Sequence, residues 1–146
     1  MAAIAHDLAR ALDPVLLAEQ AGITPDPWQA DVLRSASPRL LLCCSRQAGK
    51  SSITSILAMH TALYTALYTA RSLVLLLSPS LRQSGELFKK CLATYKDLGR
   101  PVSPESETAL TLTLENGSRI VSLPGSKDGN IRGYSGVNLL VIDEAA

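Results

Sequence analysis

The sequence predicts an α/β fold three layers deep, with a mainly parallel sheet and one β-hairpin. Three observations predict it. Two short apolar runs, residues 39–44 and 72–78, are each followed by a stretch of helical periodicity, the strand-then-helix alternation from which parallel sheets are built. A third apolar run, 137–142, ends abruptly on Asp143-Glu144. Between them Leu110, Leu112 and Leu114 alternate with threonines, and Asn116-Gly117 is a type I′ hairpin signal leading into residues 119–123.

Each element has a local reason. Ile4, Leu8, Leu12 and Leu16 recur every four residues, a helical spacing that Pro14 interrupts, so one or two short helices are expected over residues 3–21. Residues 22–27 read as a linker, in which Asp26-Pro27 is an N-cap followed by proline at the first helical position, opening a helix to about Ser35 with Trp28 and Val32 on one face. Residues 39–44 are too short for a helix and apolar throughout, as a strand buried on both faces should be. A polar loop, 45–49, leads into a helix from Lys50 to about Thr69, in which the tetrad TALY at 61–64 is repeated at 65–68. The strand at 72–78 is closed by Pro79. Ser80 with Gln83 forms a capping box for a helix to about Leu98, before Gly99. Residues 100–108 read as a loop, the hairpin as a ribbon with one wet face, and residues 124–136 as a flexible glycine-rich connection.

Length and composition bound the function classes. A chain of 146 residues holds one domain. Fourteen Lys and Arg against 13 Asp and Glu leave a net charge of +1, so the basic excess of a stand-alone nucleic-acid binder is lacking and any DNA contact has to be local. An apolar share of 47% with 18% charged residues excludes a disordered or collagen-like chain. Apolar runs such as 40–44 and 73–77 stop at five residues, far short of the roughly 20 that span a bilayer, so no transmembrane segment is expected. Cys43, Cys44 and Cys91 are odd in number and form no CxxC pair. They suggest neither a zinc site nor a disulfide framework, read most simply as buried small hydrophobes, and fit a reducing cytoplasm. His6, Asp7 and Arg10 stand where a signal peptide needs its apolar stretch, so no export is expected.

Two constellations carry chemistry. The first, Cys44-Ser-Arg-Gln-Ala-Gly-Lys50-Ser51, lies between an expected strand and an expected helix. This is the setting of a phosphate-binding P-loop. Glycine lets backbone N–H groups close around phosphate, the helix N-terminus adds partial positive charge, lysine reaches the β and γ phosphates, and serine ligates Mg²⁺. The strict pattern fails at its first glycine, where this chain has Cys44. The second is Leu139-Leu-Val-Ile-Asp143-Glu144, two carboxylates at a strand's carboxyl end, where ligands bind in open α/β sheets. Asp143 is placed to hold Mg²⁺ through water and Glu144 to orient and deprotonate an attacking water. A lone Asp-Glu is more often a solvated turn; the two constellations together favour a nucleoside triphosphatase.

With these residues in view the chain resembles a known family. The Arg46-Gln-Ala-Gly-Lys-Ser51 loop, Ser78-Pro-Ser-Leu-Arg-Gln-Ser84, Ile131-Arg-Gly-Tyr134 and the Val-Ile-Asp-Glu-Ala145 end, four motifs in order, look like the ATPase domain of bacteriophage terminase large subunits. That family's loop often lacks the first glycine and carries an arginine, so Cys44 and Arg46 strengthen the match. The resemblance implies a P-loop NTPase of the RecA-like additional-strand type, with residues 1–24 as an N-terminal helical segment and linker and 25–146 as a partial ATPase domain. It also implies truncation at the C-terminal side. The coupling motif, a central strand between the P-loop strand and the acidic strand, and the ribonuclease H-type nuclease domain would all lie beyond Ala146, and a sheet lacking that strand leaves two rows of backbone groups unpaired.

The resemblance carries over residue by residue. ATP and Mg²⁺ are the implied cofactors. The nucleotide would be held by Gln29 and by Ser45, Arg46, Gln47, Ala48, Gly49, Lys50, Ser51 and Ser52, with Ser51 and Asp143 on Mg²⁺. Glu144, Arg46 and Lys50 would be catalytic, Arg46 by contacting the γ-phosphate, a role worth about 10³ to 10⁵ in rate where arginine fingers act. Gln29, in Pro27-Trp28-Gln29, either hydrogen-bonds adenine or is an exposed helical glutamine. Gln83 is favoured as a cap, Arg82 is left open, and Arg132 faces a neighbouring subunit's nucleotide, DNA phosphate, or solvent. His6 and His60 read as structural, and Tyr64 and Tyr68 as a packed helix face. The implied function is ATP hydrolysis driving double-stranded DNA into a viral capsid from the host cytoplasm, with a small terminase subunit, the portal of the procapsid and a homo-oligomeric ring as partners. The alternatives are a helicase-like motor fragment and an inactive prophage remnant that only binds nucleotide.

Overall fold

Asp13 divides the N-terminal apolar stretch in two. Helix α1 (Ala2–Leu12) stops before it, and α2 (Pro14–Gln20) starts on it, with the Val15 N–H donating to Asp13 Oδ1 at 3.0 Å and Pro14 in the first turn. The computed structural model describes residues 2–65, 71–125 and 131–145. Helix α3 (Pro27–Arg34) opens at Asp26-Pro27 as expected. Its last residue, Arg34, reaches back to Asp13 at 2.7 Å. That hydrogen-bonded guanidinium holds the Asp13 carboxyl below its ordinary value, although a pair this exposed adds little to stability.

Helix α4 (Lys50–Tyr64) is the axis of the molecule because it is apolar on two opposite sides. Ile53 and Ile56 pack with Val15, Ala18 and Leu33 of α2 and α3. Ala58, Met59, Ala62 and Leu63 pack instead with α5 (Leu81–Asp97) and the sheet. The expected continuation of α4 past its C-cap Thr65, with Tyr68, falls outside the described residues.

The sheet has five strands, β1 (Leu73–Ser78), β2 (Pro104–Glu107), β3 (Thr111–Leu114), β4 (Arg119–Pro124) and β5 (Leu139–Ile142), in the order β2-β3-β4-β1-β5. β1 pairs in parallel with β4 and with β5, placing Leu75 beside Val121 and Leu140. The β2–β3 and β3–β4 pairs are antiparallel. The sheet is therefore mixed rather than mainly parallel. Val74, Leu76 and Ile120 meet α4 and α5 on one face. On the other, Leu75 and Val121 are buried at the centre, but Leu140 and Ile142 of the edge strand are exposed, Ile142 by 57%. The helices that enter the sheet's core thus cover one face, and the third layer is not formed among the described residues.

Five further expectations are corrected. Residues 39–44 form no strand, and Leu41 is 83% exposed. An apolar run becomes a strand only where a neighbour supplies ladder bonds, and among the described residues no strand lies beside this segment or beyond β5. Residues 104–107, read as loop, are an edge strand whose polar sequence starts on Pro104, a residue edges tolerate. The hairpin turn is not type I′. Gly117 alone is left-handed, at φ +82°, its N–H donating to Leu114 O at 2.8 Å, while Asn116 is spent on the fold, its Nδ2 donating to Ala62 O and its Oδ1 accepting from Ser118 N. Nor does the ribbon keep a wet face along β4, because β1 covers its other edge and Ile120, Val121 and Ser122 are all buried. Among the cysteines Cys91 is buried, which pushes its thiol up to about 12, but Cys43 is exposed.

His60 is structural, as expected. Its Nε2 faces the carbonyls of Arg10 and Ala11 at 3.1 and 3.2 Å, so Nε2 carries the proton and satisfies the end of α1. Its ring stacks obliquely on Tyr64, whose hydroxyl donates to Asp7 at 2.9 Å and is pushed up to about 12 by burial and that carboxylate. Burial lowers the His60 pKa below its ordinary value. A depressed folded-state pKa means that the unfolded chain binds the proton first, so stability is full above about pH 6.5 and falls as pH drops through the folded value. Thermal melts followed by circular dichroism should show the midpoint falling over this window, and His60→Gln, which keeps a donor near the two carbonyls, should flatten the step. An undiminished step in the variant would assign it to another group.

Candidate nucleotide site

The direction of α4 decides what lies at its start. Ser72, just before β1, donates its hydroxyl to Thr61 O at 3.0 Å, and Asn116 of the hairpin holds Ala62 O. The last turn of α4 is therefore pinned at the amino end of β1. From there its 15 residues span about 22 Å, with Ser55 Oγ 2.8 Å from Thr94 Oγ1 in the last turns of α5. Lys50 begins the helix, and Asp143 and Glu144 follow β5.

The loop ahead of α4 has a backbone suited to an anion. Gln47 and Gly49 are left-handed, at φ 61° and 82°, on either side of Ala48. Alternating hand turns successive N–H groups toward one side, and the first N–H groups of a helix have no partner within it. Gly49 is the N-cap of α4, and glycine is needed there for two reasons: the left-handed backbone, and a side-chain atom, Gln29 Nε2, that would lie 2.7 Å from a Cβ. Lys50 folds over the loop, its Nζ donating to the carbonyls of Cys44 and Ser45, both at 2.8 Å. Among the described residues no hydrogen bond or ion pair engages the side chains of Arg46, Ser51, Arg82 or Asp143. A serine hydroxyl and a free carboxylate fit a hard cation such as Mg²⁺, which takes oxygen donors and keeps much of its water. No group of three or more His, Cys, Asp or Glu with metal-binding geometry exists among the described residues.

Gln29 sits apart from solvent, only 8% exposed on α3, with Oε1 accepting from the Asp26 N–H at 2.9 Å and Nε2 donating to Ala48 O at 3.0 Å. It is neither the exposed helical glutamine nor a side chain left free for a base. Ser45, Arg46 and Gln47 are exposed on the loop, while Ser51 and Ser52 stand in the first turn of α4. The Arg132 backbone lies in a short 3-10 turn (Ile131–Gly133), and its side chain falls outside the described residues.

At the acidic end, the Asp143 N–H donates to Leu77 O at 2.8 Å, extending the β5 ladder by one residue. Glu144 then turns left-handed, at φ 51°, and its Oε2 accepts a 2.6 Å hydrogen bond from Gln83 Nε2. Gln83 is also part of the α5 cap, its N–H donating to Ser80 Oγ at 3.3 Å and its Oε1 accepting from the Ser80 hydroxyl at 2.8 Å. The contact between Gln83 and Glu144 was not readable from spacing, since the two meet only because β5 lies beside β1. No hydrogen bond or ion pair joins residues 45–52 to Asp143 or Glu144 among the described residues.

A hollow of about 540 Å³, lined by Leu12, Asp13, Arg34, Leu57 and His60 among others, contains none of these groups. No helix among the described residues is long and apolar enough to cross a membrane. Comparison with protein-family models gives no match, and comparison with curated protein sequences gives none either, so any functional reading rests on the loop, the helix start and the acidic pair themselves.

Proposed function

We propose that this chain binds and hydrolyses ATP as part of a DNA-packaging motor of the terminase large-subunit type, with double-stranded DNA as the translocated substrate. One observation supports the reading above the others: a loop with left-handed Gln47 and Gly49 leads into a helix that starts on Lys50, whose ammonium is folded over that loop. Lys50 would trade two neutral carbonyls for the β and γ phosphates, and the N–H groups of the first turn of α4 would accept the same charge. Ser51 and Asp143 would hold Mg²⁺, which supplies charge neutralisation between the phosphates. Glu144, with Oε1 free of Gln83, would take the proton of the attacking water. Arg46, unpaired on the loop, would meet charge on the γ-phosphate.

Glu144→Gln should leave the Kd for Mg·ATP unchanged and lower phosphate release by about 10²- to 10⁴-fold, the usual worth of a positioned general base. Titration calorimetry and a phosphate-release assay separate the two quantities. Unchanged turnover in Glu144→Gln would overturn the base assignment, and added double-stranded DNA should raise wild-type turnover if the motor reading holds. A second reading, nucleotide binding without turnover, is favoured by residues 39–44 forming no strand and by the engagement of Glu144 with Gln83. Stoichiometric binding with no phosphate release from the wild-type chain would select it.

A further inference from the structure

Resting on the reading of residues 45–52 as a phosphate site, we infer that Gln29 positions the phosphate loop and does not read the base, so that the chain recognises its ligand by the polyphosphate. Three observations converge. Each polar atom of the Gln29 amide is engaged by protein backbone, Oε1 accepting from the Asp26 N–H and Nε2 donating to the Ala48 carbonyl. The side chain is nearly closed off from solvent. The Nε2 atom rests in the space a Cβ would take at Gly49, so loop and glutamine are fitted to each other.

Peptide geometry shows what this does. The C=O of one residue and the N–H of the next point in opposite directions across a planar trans peptide. Holding the Ala48 carbonyl toward α3 therefore turns the Gly49 N–H away from α3, to the side from which an anion would approach. Gly49 immediately precedes Lys50, so this one side-chain hydrogen bond fixes the orientation of the peptide that enters the helix. Gln29 is itself anchored by the α3 cap at Asp26, which makes α3 a rigid support for the loop. A residue used in this way contributes to every ligand that presents phosphate and to none through its base.

The test is titration calorimetry of the full 146-residue chain, with Mg²⁺ present, against inorganic tripolyphosphate, ATP and GTP. The wild type is compared with Gln29→Met, which keeps the side-chain length without the amide, and with Gln29→Ala as the second variant should methionine unfold the chain. The expected result is a similar wild-type Kd for ATP and GTP, and a loss of about 5- to 10-fold in the variant, the worth of one hydrogen bond, equal for all three ligands. Loss confined to ATP would make Gln29 a base reader and overturn the inference. Unchanged affinity for all three, or unfolding of both variants, would reduce Gln29 to a support of the fold and overturn it as well. A folded wild-type chain that binds none of the three ligands would refute the phosphate site itself, and the inference would go with it.

Discussion

Lys50→Ala should weaken Mg·ATP binding by at least about 100-fold, since two hydrogen bonds to charged phosphate oxygens, each worth roughly 1.5–3 kcal/mol, disappear together. The size of the effect follows from where the ammonium sits now. Its Nζ is held at 2.8 Å by two loop carbonyls, those of Cys44 and Ser45, so it is already over the loop and has only to exchange partners. The exchange is favourable because an ionised acceptor makes a shorter and stronger bond than a neutral carbonyl. Lys50→Arg should not restore binding, because a planar guanidinium does not fit the space of a compact ammonium. Stability should change little in either variant, since the carbonyls released are on exposed Ser45 and half-buried Cys44, where water replaces the lost donor. Calorimetry with ATP and a thermal melt check both halves. An unchanged Kd in Lys50→Ala would remove this lysine from the site, and with it the loop's main claim to be one.

How much of this was legible depended on whether the cause was local. The break at Pro14, the start of α3 at Asp26-Pro27, the end of β1 before Pro79 and the hairpin around Asn116-Gly117 are all set within a few residues, by a missing N–H, a cap or a turn. Each could be read directly. The strand at Pro104–Glu107 could not, because an edge strand of Pro, Glu and Ser carries no apolar alternation and exists only through its ladder to β3. The opposite error arose at residues 39–44, where composition suits a buried strand but no partner strand lies alongside. β5 shows the intermediate case: its apolar sequence forms a strand, yet with one neighbour it leaves Leu140 and Ile142 exposed.

The candidate site divides in the same way. Its loop and acidic pair were visible as contiguous motifs, and the structure adds the left-handed residues that give the loop its shape. The side chains that hold those motifs, Gln29 on Ala48 and Gln83 on Glu144, were visible only as residue types, since each contact bridges segments brought together by the packing of helices and strands. Gln83 was read as a cap and is one, but a cap's side chain has a second polar end, and its neighbour is decided by the order of the strands.

The largest effect expected on stability comes from Phe88→Ala, at about 3–5 kcal/mol, a heavy loss against the roughly 5–15 kcal/mol that holds a domain together. Phe88 is the only phenylalanine in the chain and is fully buried on α5, in the cluster that joins α5 to α4, β1, β3 and β4. Truncation there removes apolar burial and leaves a void between a helix and a sheet whose strands are fixed by their ladders, so collapse is limited. Urea denaturation should show a lower midpoint with an unchanged slope, because the surface exposed on unfolding is nearly the same. Phosphate binding by the molecules still folded should be preserved. The first turns of α4 are supported by Ile53 and Ile56 in a separate cluster with α2 and α3, and Gln29 holds the loop from that same side. If Phe88→Ala also weakened tripolyphosphate binding in its folded fraction, the two clusters would be coupled through α4, and the loop would depend on how α5 is docked against the sheet.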